Sequence, residues 1–77
     1  MVLGEKIRLA RLFRGYSQDN MASMLEISST AYRNIEKNTE VSSKRLTKIA
    51  EVLKMSEDEI KAIEDKMFFN LTSSNLL

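Results

Sequence analysis

Residues 17–37, SQDNMASMLEISSTAYRNIEK, contain two short helical patterns with only about three residues between them. Ser17 suits a helix N-cap, and the apolar residues after it predict a helix of about nine residues. Ser28 suits the N-cap of a second helix, which turns Tyr32 and Ile35 inward. Because so short a connection cannot fully reverse the chain, we expect the two helices to cross at a steep angle.

Three further helices are predicted outside this stretch. An apolar stripe begins at Leu3 and is followed by Gly15, which can end the first helix in the left-handed conformation. Ser42 suits the N-cap of a fourth helix, and residues 56–59, SEDE, form a capping box that begins a fifth. The buried edge of the fifth helix is predicted to consist of Ile60, Ile63 and Met67. Since the chain has no proline and two glycines, the sequence predicts an all-α fold of five short helices.

The composition excludes several classes of protein. The 77 residues make one small domain, and they include neither cysteine nor histidine. Disulfides, metal sites built on those residues, thiol chemistry and histidine catalysis are therefore excluded. We expect no cofactor, no metal and no enzymatic activity, and the sequence identifies no small-molecule substrate. Because it contains neither a long apolar run nor a signal peptide, we expect a cytoplasmic protein with no membrane association.

Charge is distributed unevenly, although the net charge is only +1. The first 48 residues contain nine lysines and arginines against five acids, a balance of +4. The remaining residues contain three lysines against six acids, a balance of −3. Any face that binds nucleic acid is therefore expected in the first 48 residues.

An ordered set of residues carries a family resemblance. The set consists of Ser17-Gln18, Met21-Ala22, Leu25, Ile27-Ser28, Tyr32, Ile35-Glu36, Leu46, Lys48-Ile49-Ala50 and Leu53. With these spacings the chain resembles the Cro/repressor-like (XRE) helix-turn-helix family over about residues 4–60. The resemblance implies a compact, lambda-repressor-like domain of five helices that binds double-stranded DNA and regulates transcription. It also implies that residues 17–25 form the supporting helix and residues 28–37 the recognition helix, which enters the major groove.

Three positions depart from the usual pattern of that family. Glu26 stands where glycine is usual, so it must adopt a positive φ at a cost of about 1 kcal/mol or open the turn. Asn38 stands where glycine is frequent, and asparagine tolerates the left-handed region. Val41 replaces a common proline and affects the entry of the fourth helix more than its chemistry.

Four polar residues of the third helix are the predicted base contacts: Ser29, Thr30, Arg33 and Asn34. They lie opposite the inward residues, on the face that reads bases in the family that the chain resembles. Arg33 suits guanine O6 and N7, Asn34 suits adenine N6 and N7, and the two hydroxyls suit bases or phosphates. Small polar residues also fill ordinary exposed helix faces, which is the competing interpretation.

Five further residues are predicted to contact DNA phosphates: Gln18, Ser28, Lys37, Lys44 and Arg45. The first two begin helices, where free N–H groups and the helix dipole favour an anion. The other three flank the loop that should face the DNA backbone. Capping alone would also explain the serine, and each cation could be an ordinary solvated charge.

Arg11 and Glu36 occupy positions that, by the resemblance, bring the first helix against the end of the third through an ion pair. This pair would orient the recognition helix rather than contact DNA. The competing interpretation is two unrelated surface charges.

The chain is predicted to divide into a helix-turn-helix DNA-binding domain, residues 1–66, and an apolar C-terminal tail, residues 67–77, that dimerises or is partly disordered. Val2, Leu9, Leu12 and Phe13 widen the apolar arc of the first helix. The tail therefore either folds back over that helix or meets a second protomer. We expect a homodimer on a pseudo-palindromic operator, and the alternative is a protein-interaction module, an antitoxin or adaptor, with the same fold.

Overall fold

The computed structural model describes residues 1–64, and within them the chain forms helices and no strand. The elements are α1 (Leu3–Arg14), α2 (Gln18–Leu25), α3 (Ser29–Lys37), α4 (Ser43–Leu53) and α5 (Glu57–Lys61). The predicted all-α fold of five helices is confirmed for this part of the chain. The predictions for Met67 and for the apolar tail lie outside the described residues. No helix within residues 1–64 is long and apolar enough to cross a membrane.

Serine N-caps begin four of the five helices. Ser17, Ser28, Ser42 and Ser56 each accept a hydrogen bond from the backbone N–H three residues further on, at 2.9–3.2 Å. The second and third helices therefore each begin one residue later than predicted, since the serine precedes the first helical residue. The predicted supporting helix is therefore residues 18–25, and the predicted recognition helix is residues 29–37.

Left-handed residues end three helices. Gly15 ends α1 with φ 78°, as predicted. Glu26 ends α2 with φ 58°, so of the two predicted options it adopts the positive φ. Lys54, which carries no sequence signal for this role, ends α4 with φ 56°. Both non-glycine residues therefore accept the steric cost that Cβ imposes in the left-handed region.

Two local features differ from what the sequence favours. Asn38 does not use the left-handed region that asparagine tolerates: it is extended, with φ −82° and ψ 146°, and its carbonyl accepts a hydrogen bond from Gly4 N at 3.1 Å. The fifth helix ends at Lys61 rather than continuing towards Met67. Its end is marked by a tightened turn in which the N–H of Ile63 donates to the carbonyl of Ile60 at 3.1 Å.

The core lies where the helices meet. The largest fully buried side chains come from all five helices: Ile7, Met21, Tyr32, Ile49, Leu53 and Ile60. Helix α1 packs against α3, α4 and α5, and α2 packs against α3 and α4. Helix α3 is therefore held from two sides, which leaves its remaining face open to solvent.

Gly4 permits a close approach between α1 and α3. The N–H groups of Leu3 and Gly4 donate to the carbonyls of Thr39 and Asn38 at 3.2 and 3.1 Å. A Cβ atom at Gly4 would lie 2.5–2.7 Å from the carbonyl oxygens of residues 38, 36 and 35. The start of α1 thus packs directly on the backbone at the end of α3, which fixes the position of α3.

Candidate functional site

The outward face of α3 presents three polar side chains that have no partner within the described residues. Thr30, Arg33 and Asn34 are exposed, whereas Tyr32 and Ile35 on the opposite face are buried. None of the three exposed side chains makes a hydrogen bond or ion pair within residues 1–64. Their donors and acceptors are therefore available to a ligand.

Ser29, the fourth predicted base contact, is placed differently. It is half-buried, and its hydroxyl donates to Asp19 Oδ1 at 2.6 Å. This hydrogen bond joins the first turn of α3 to the first turn of α2. The hydroxyl proton is therefore engaged, and only the acceptor lone pairs of Ser29 remain for a base or phosphate.

The inward side of α3 carries a buried charge cluster centred on Glu36. Arg11 Nε lies 2.7 Å from Glu36 Oε2, and Arg11 Nη2 donates to Oε1 at 3.3 Å. Gln18 Nε2 donates to the same Oε1 at 3.0 Å, and the Tyr32 hydroxyl donates to Oε2. The Arg11 and Glu36 side chains are only 9% and 4% exposed, so the interpretation as unrelated surface charges does not describe them.

This cluster ties three helices and one connection together. Arg11 Nη1 also donates to the carbonyl of Tyr16, in the short connection between α1 and α2, at 2.9 Å. Among the described residues, no buried side-chain nitrogen or oxygen lacks a partner. In a buried ion pair whose remaining hydrogen-bonding groups are satisfied, these interactions offset the cost of removing the charges from water, and here they hold α1, α2 and α3 in register.

The electrostatics of the cluster favour the charged pair. Burial alone would raise the pKa of Glu36, but hydrogen bonds from Arg11, Tyr32 and Gln18 outweigh burial and lower it. Burial and the hydrogen bond to Glu36 raise the pKa of the Tyr32 hydroxyl above its ordinary value. Glu36 is therefore an anion and Tyr32 a neutral donor throughout the physiological pH range.

Gln18, a predicted phosphate contact, also belongs to this cluster. It is half-buried, and one amide hydrogen is used by Glu36. Its carbonyl oxygen and second amide hydrogen are not used by that bond. Gln18 therefore links α2 to α3, and its second amide hydrogen is not used by this link at the start of α2.

The remaining predicted phosphate contacts lie around the α3–α4 connection. Lys37 is in the last turn of α3, and Lys44 and Arg45 are in the first turn of α4. Lys37 and Lys44 are exposed and Arg45 is half-buried, and none of their side chains has a hydrogen-bond or ion-pair partner within residues 1–64. Ser28 uses its hydroxyl oxygen to cap α3, as the capping interpretation proposed.

The sequence did not predict the structural contacts of two basic residues of α1. Arg14 Nε donates to the carbonyl of Leu53 at 2.7 Å, and its Nη2 donates to the carbonyl of Lys54 at 3.0 Å. Lys6 Nζ donates to the carbonyl of Lys61. Both side chains donate hydrogen bonds to carbonyl groups at helix C-termini, where the helix dipole favours a cation. No pattern within α1 identifies these partners, because they are 39 or more residues away in sequence.

Helices α2 and α3, joined by the three residues 26–28, have the arrangement of a helix-turn-helix. A family model described as a helix-turn-helix domain matches the chain over residues 4–66. Because this match covers most of the chain, the protein belongs to that family, and the recognition of an XRE-like helix-turn-helix domain is confirmed. The family indicates a DNA-binding regulator in general and is typically non-enzymatic. No curated protein and no solved structure matches the chain.

Proposed function

We propose that the protein is a sequence-specific DNA-binding transcriptional regulator in which α3 enters the major groove. The observation that carries this proposal is the difference between the two faces of α3. One face is fixed by the buried Glu36 cluster, and the other presents Arg33 and Asn34 without partners. A rigid helix with unengaged polar side chains is what direct base readout requires.

The base contacts are assigned to the exposed face of α3. Arg33 would donate two hydrogen bonds to guanine O6 and N7, and Asn34 would pair with adenine N6 and N7. Thr30 would contact a base or a thymine methyl group. Ser29 would act only as an acceptor, since its proton is held by Asp19.

The phosphate contacts are assigned to the helix starts and to the α3–α4 connection. Gln18, at the start of α2, would donate to a phosphate through its side-chain amide. Ser28 would place a phosphate at the backbone N–H groups that begin α3. Lys37, Lys44 and Arg45 would supply charge without sequence information. This arrangement is supported by the absence of competing partners for the three cations within residues 1–64.

A homodimer acting in the cytoplasm completes the proposal. Two copies would place their α3 helices in successive major grooves of a pseudo-palindromic operator, about 34 Å apart. The apolar tail, residues 67–77, is proposed as the dimerisation segment. Leu12 and Phe13 on α1 support this assignment because both remain exposed within the described structure.

A second candidate function is a protein-interaction module with the same fold, such as an antitoxin or adaptor. The observation that favours it is the small net charge of +1, which is low for a protein held on DNA by electrostatics alone. Under this alternative the exposed apolar residues of α1 would contact a different protein rather than a second copy.

Selection of bound duplexes from a random pool tests both candidates. The proposed function predicts enrichment of an inverted repeat by the wild-type protein and loss of that enrichment by the double variant Arg33→Ala, Asn34→Ala. An enriched single half-site would contradict the dimer only. If no sequence is enriched, the DNA-binding proposal fails and the interaction module becomes the better assignment.

Salt dependence tests the phosphate contacts separately. If each protomer neutralises about four phosphates, a dimer meets about eight, and the log–log slope of affinity against salt should be near −7. A slope shallower than about −2 would contradict phosphate clamping by both protomers.

A further inference from the structure

A groove runs between the C-terminal half of α2 and the outward side of α4. Its volume is about 460 Å³, within the range of about 300–1,000 Å³ that ligand sites occupy. The α2–α4 groove is lined mainly by residues of these two helices, among them Met24, Leu25, Lys44, Arg45, Lys48 and Val52. None of the residues assigned to base contacts lines it.

Part of the groove surface is apolar. Leu25 and Val52 pack against the hydrophobic core and are half-buried. Met24 is 43% exposed, and its flexible thioether can adapt to different apolar side chains. A DNA backbone offers these residues phosphates rather than apolar side chains, so the apolar surface favours a protein partner over a duplex.

The α4 side of the groove is cationic. Lys44 and Lys48 are one helical turn apart on the same side of α4, and Arg45 lies beside them. None of these three side chains makes a hydrogen bond or ion pair within residues 1–64. Two carboxylates also line the groove, Glu51 one turn further along α4 and Glu26 at the end of α2, so the positive charge is concentrated at the N-terminal part of α4. Such a surface is complementary to carboxylates placed one helical turn apart.

We propose that the α2–α4 groove binds a short, acidic, amphipathic segment of a partner protein. Apolar side chains of that segment would contact Met24, Leu25 and Val52, and its carboxylates would face Lys44 and Lys48. This binding has a consequence that rests on the proposed function, in which Lys44 and Arg45 also contact phosphates. The acidic segment and DNA then compete for the same cations, so the partner lowers DNA affinity and DNA lowers partner affinity.

The direct test uses a peptide and no DNA. A fluorescein-labelled peptide of about 12 residues, with leucine and glutamate at helical spacing, would match the length of α4, whose 11 residues span roughly 16 Å. Titration of the full chain should give a saturable rise in fluorescence anisotropy. A peptide with lysine in place of glutamate, and another with serine in place of leucine, should not bind. No saturable binding of the leucine–glutamate peptide overturns the proposal.

Two pairs of matched variants locate the binding. Lys48→Glu should weaken peptide binding about tenfold, while Lys61→Glu, the same charge change outside the groove, should leave it unchanged. Met24→Ala should weaken peptide binding about threefold or more, while Leu12→Ala should leave it unchanged. The two side chains are a matched pair because they are 43% and 41% exposed. Equal losses within either pair would show non-specific binding and overturn the proposal.

Competition then distinguishes the groove from the DNA surface. Excess peptide should release duplex DNA from the wild-type chain about tenfold more readily than from Lys48→Glu. If the chain binds the peptide but no duplex, the groove assignment stands and the proposed function fails. If the peptide does not bind and Lys48→Glu weakens duplex binding as much as Lys44→Glu does, the groove belongs to the DNA surface and the proposal is wrong.

Discussion

The two faces of α3 differ in how completely their polar groups are used. On the inward face, Glu36 accepts hydrogen bonds from residues of α1, α2 and α3 and is almost completely buried. On the outward face, Arg33 and Asn34 have no partner within the described residues. One nine-residue helix therefore separates a buried face that orients it from an exposed face that we propose reads bases. Variants of the two faces should therefore have separable effects on stability and on binding.

Removing Arg11 should have the largest effect. Arg11→Met leaves the Glu36 carboxylate buried without its cationic partner, so we expect a loss of about 3–5 kcal/mol in the free energy of unfolding. Urea unfolding followed by circular dichroism would measure this loss. Arg8→Met, on the exposed side of the same helix, should change it by less than about 0.5 kcal/mol. Similar values for the two variants would mean that the buried pair does not contribute to the fold.

A methyl group at Gly4 should disturb the packing of α1 against α3 through the backbone. Its Cβ would meet three carbonyl oxygens at 2.5–2.7 Å, and backbone atoms cannot move aside as a flexible side chain can. We expect Gly4→Ala to lower the free energy of unfolding by about 1–3 kcal/mol.

Gly15→Ala is the matched control for that variant. No atom lies within 4 Å of a Cβ at Gly15, so only the positive φ of 78° opposes the substitution, at a cost of about 1 kcal/mol. Thermal unfolding of both variants gives the comparison. A smaller loss for Gly4→Ala than for Gly15→Ala would contradict the close approach of α1 to α3.

These two predictions also show where sequence reasoning reached its limit. Helix starts were predictable because an N-cap depends on contacts within three residues, as at Ser17 and Ser56. The close approach at Gly4 and the capping of α4 by Arg14 depend on residues far away in sequence, so no local pattern contains them.

The candidate site was predictable to a similar extent. The helical period placed Arg33 and Asn34 on the exposed face of α3, where the structure has them. The engagement of Ser29 by Asp19 and of Gln18 by Glu36 was not predictable, because each joins two helices whose relative position is set by packing. The end of α5 was missed since an apolar period continues past the turn that ends the helix.

Substitutions on the outward face should act on binding and not on the fold. Arg33→Ala and Asn34→Ala should each cost about 1–3 kcal/mol on the preferred duplex, leave binding to random duplex nearly unchanged, and change stability by less than about 0.5 kcal/mol. Gln18→Ala should weaken binding to both duplexes by similar factors and also lower stability, since Glu36 loses a donor. Equal losses on both duplexes for Arg33→Ala would show that the base-reading face is assigned incorrectly.

Acid should lower the contribution of Glu36, on the inward face of α3, to the free energy of unfolding. Because the pKa of Glu36 is lowered in the folded state, the unfolded chain binds more protons as the solution is acidified, and stability rises with pH. This contribution is complete above the ordinary pKa of 4.5 and is lost as pH falls through the lower folded value.

Carbon NMR titration of the side-chain carboxyl groups measures this directly. The Glu36 midpoint should lie below 4.5, and unfolding free energies measured from pH 6 to pH 3 should fall with pH in the wild type. Glu59, a fully exposed carboxylate whose pKa is lowered by hydrogen bonds at Ser56, provides the comparison on the surface. A Glu36 midpoint at or above 4.5 would mean that burial outweighs its hydrogen bonds.

The smallest expected effect, and the only stabilising one, lies in the turn that joins the supporting helix to α3. Glu26 has φ 58°, where a side chain is disfavoured and glycine is not, so Glu26→Gly should raise the free energy of unfolding by about 0.5–1 kcal/mol. Glu26→Ala removes the carboxylate but keeps Cβ, so it should give no gain and thereby separate backbone strain from charge. Thermal unfolding of the two variants decides between these causes. Neither variant changes a proposed base contact, so both should keep the sequence preference of the wild type. A gain in stability that came with altered sequence preference would show that the turn helps to set the orientation of α3.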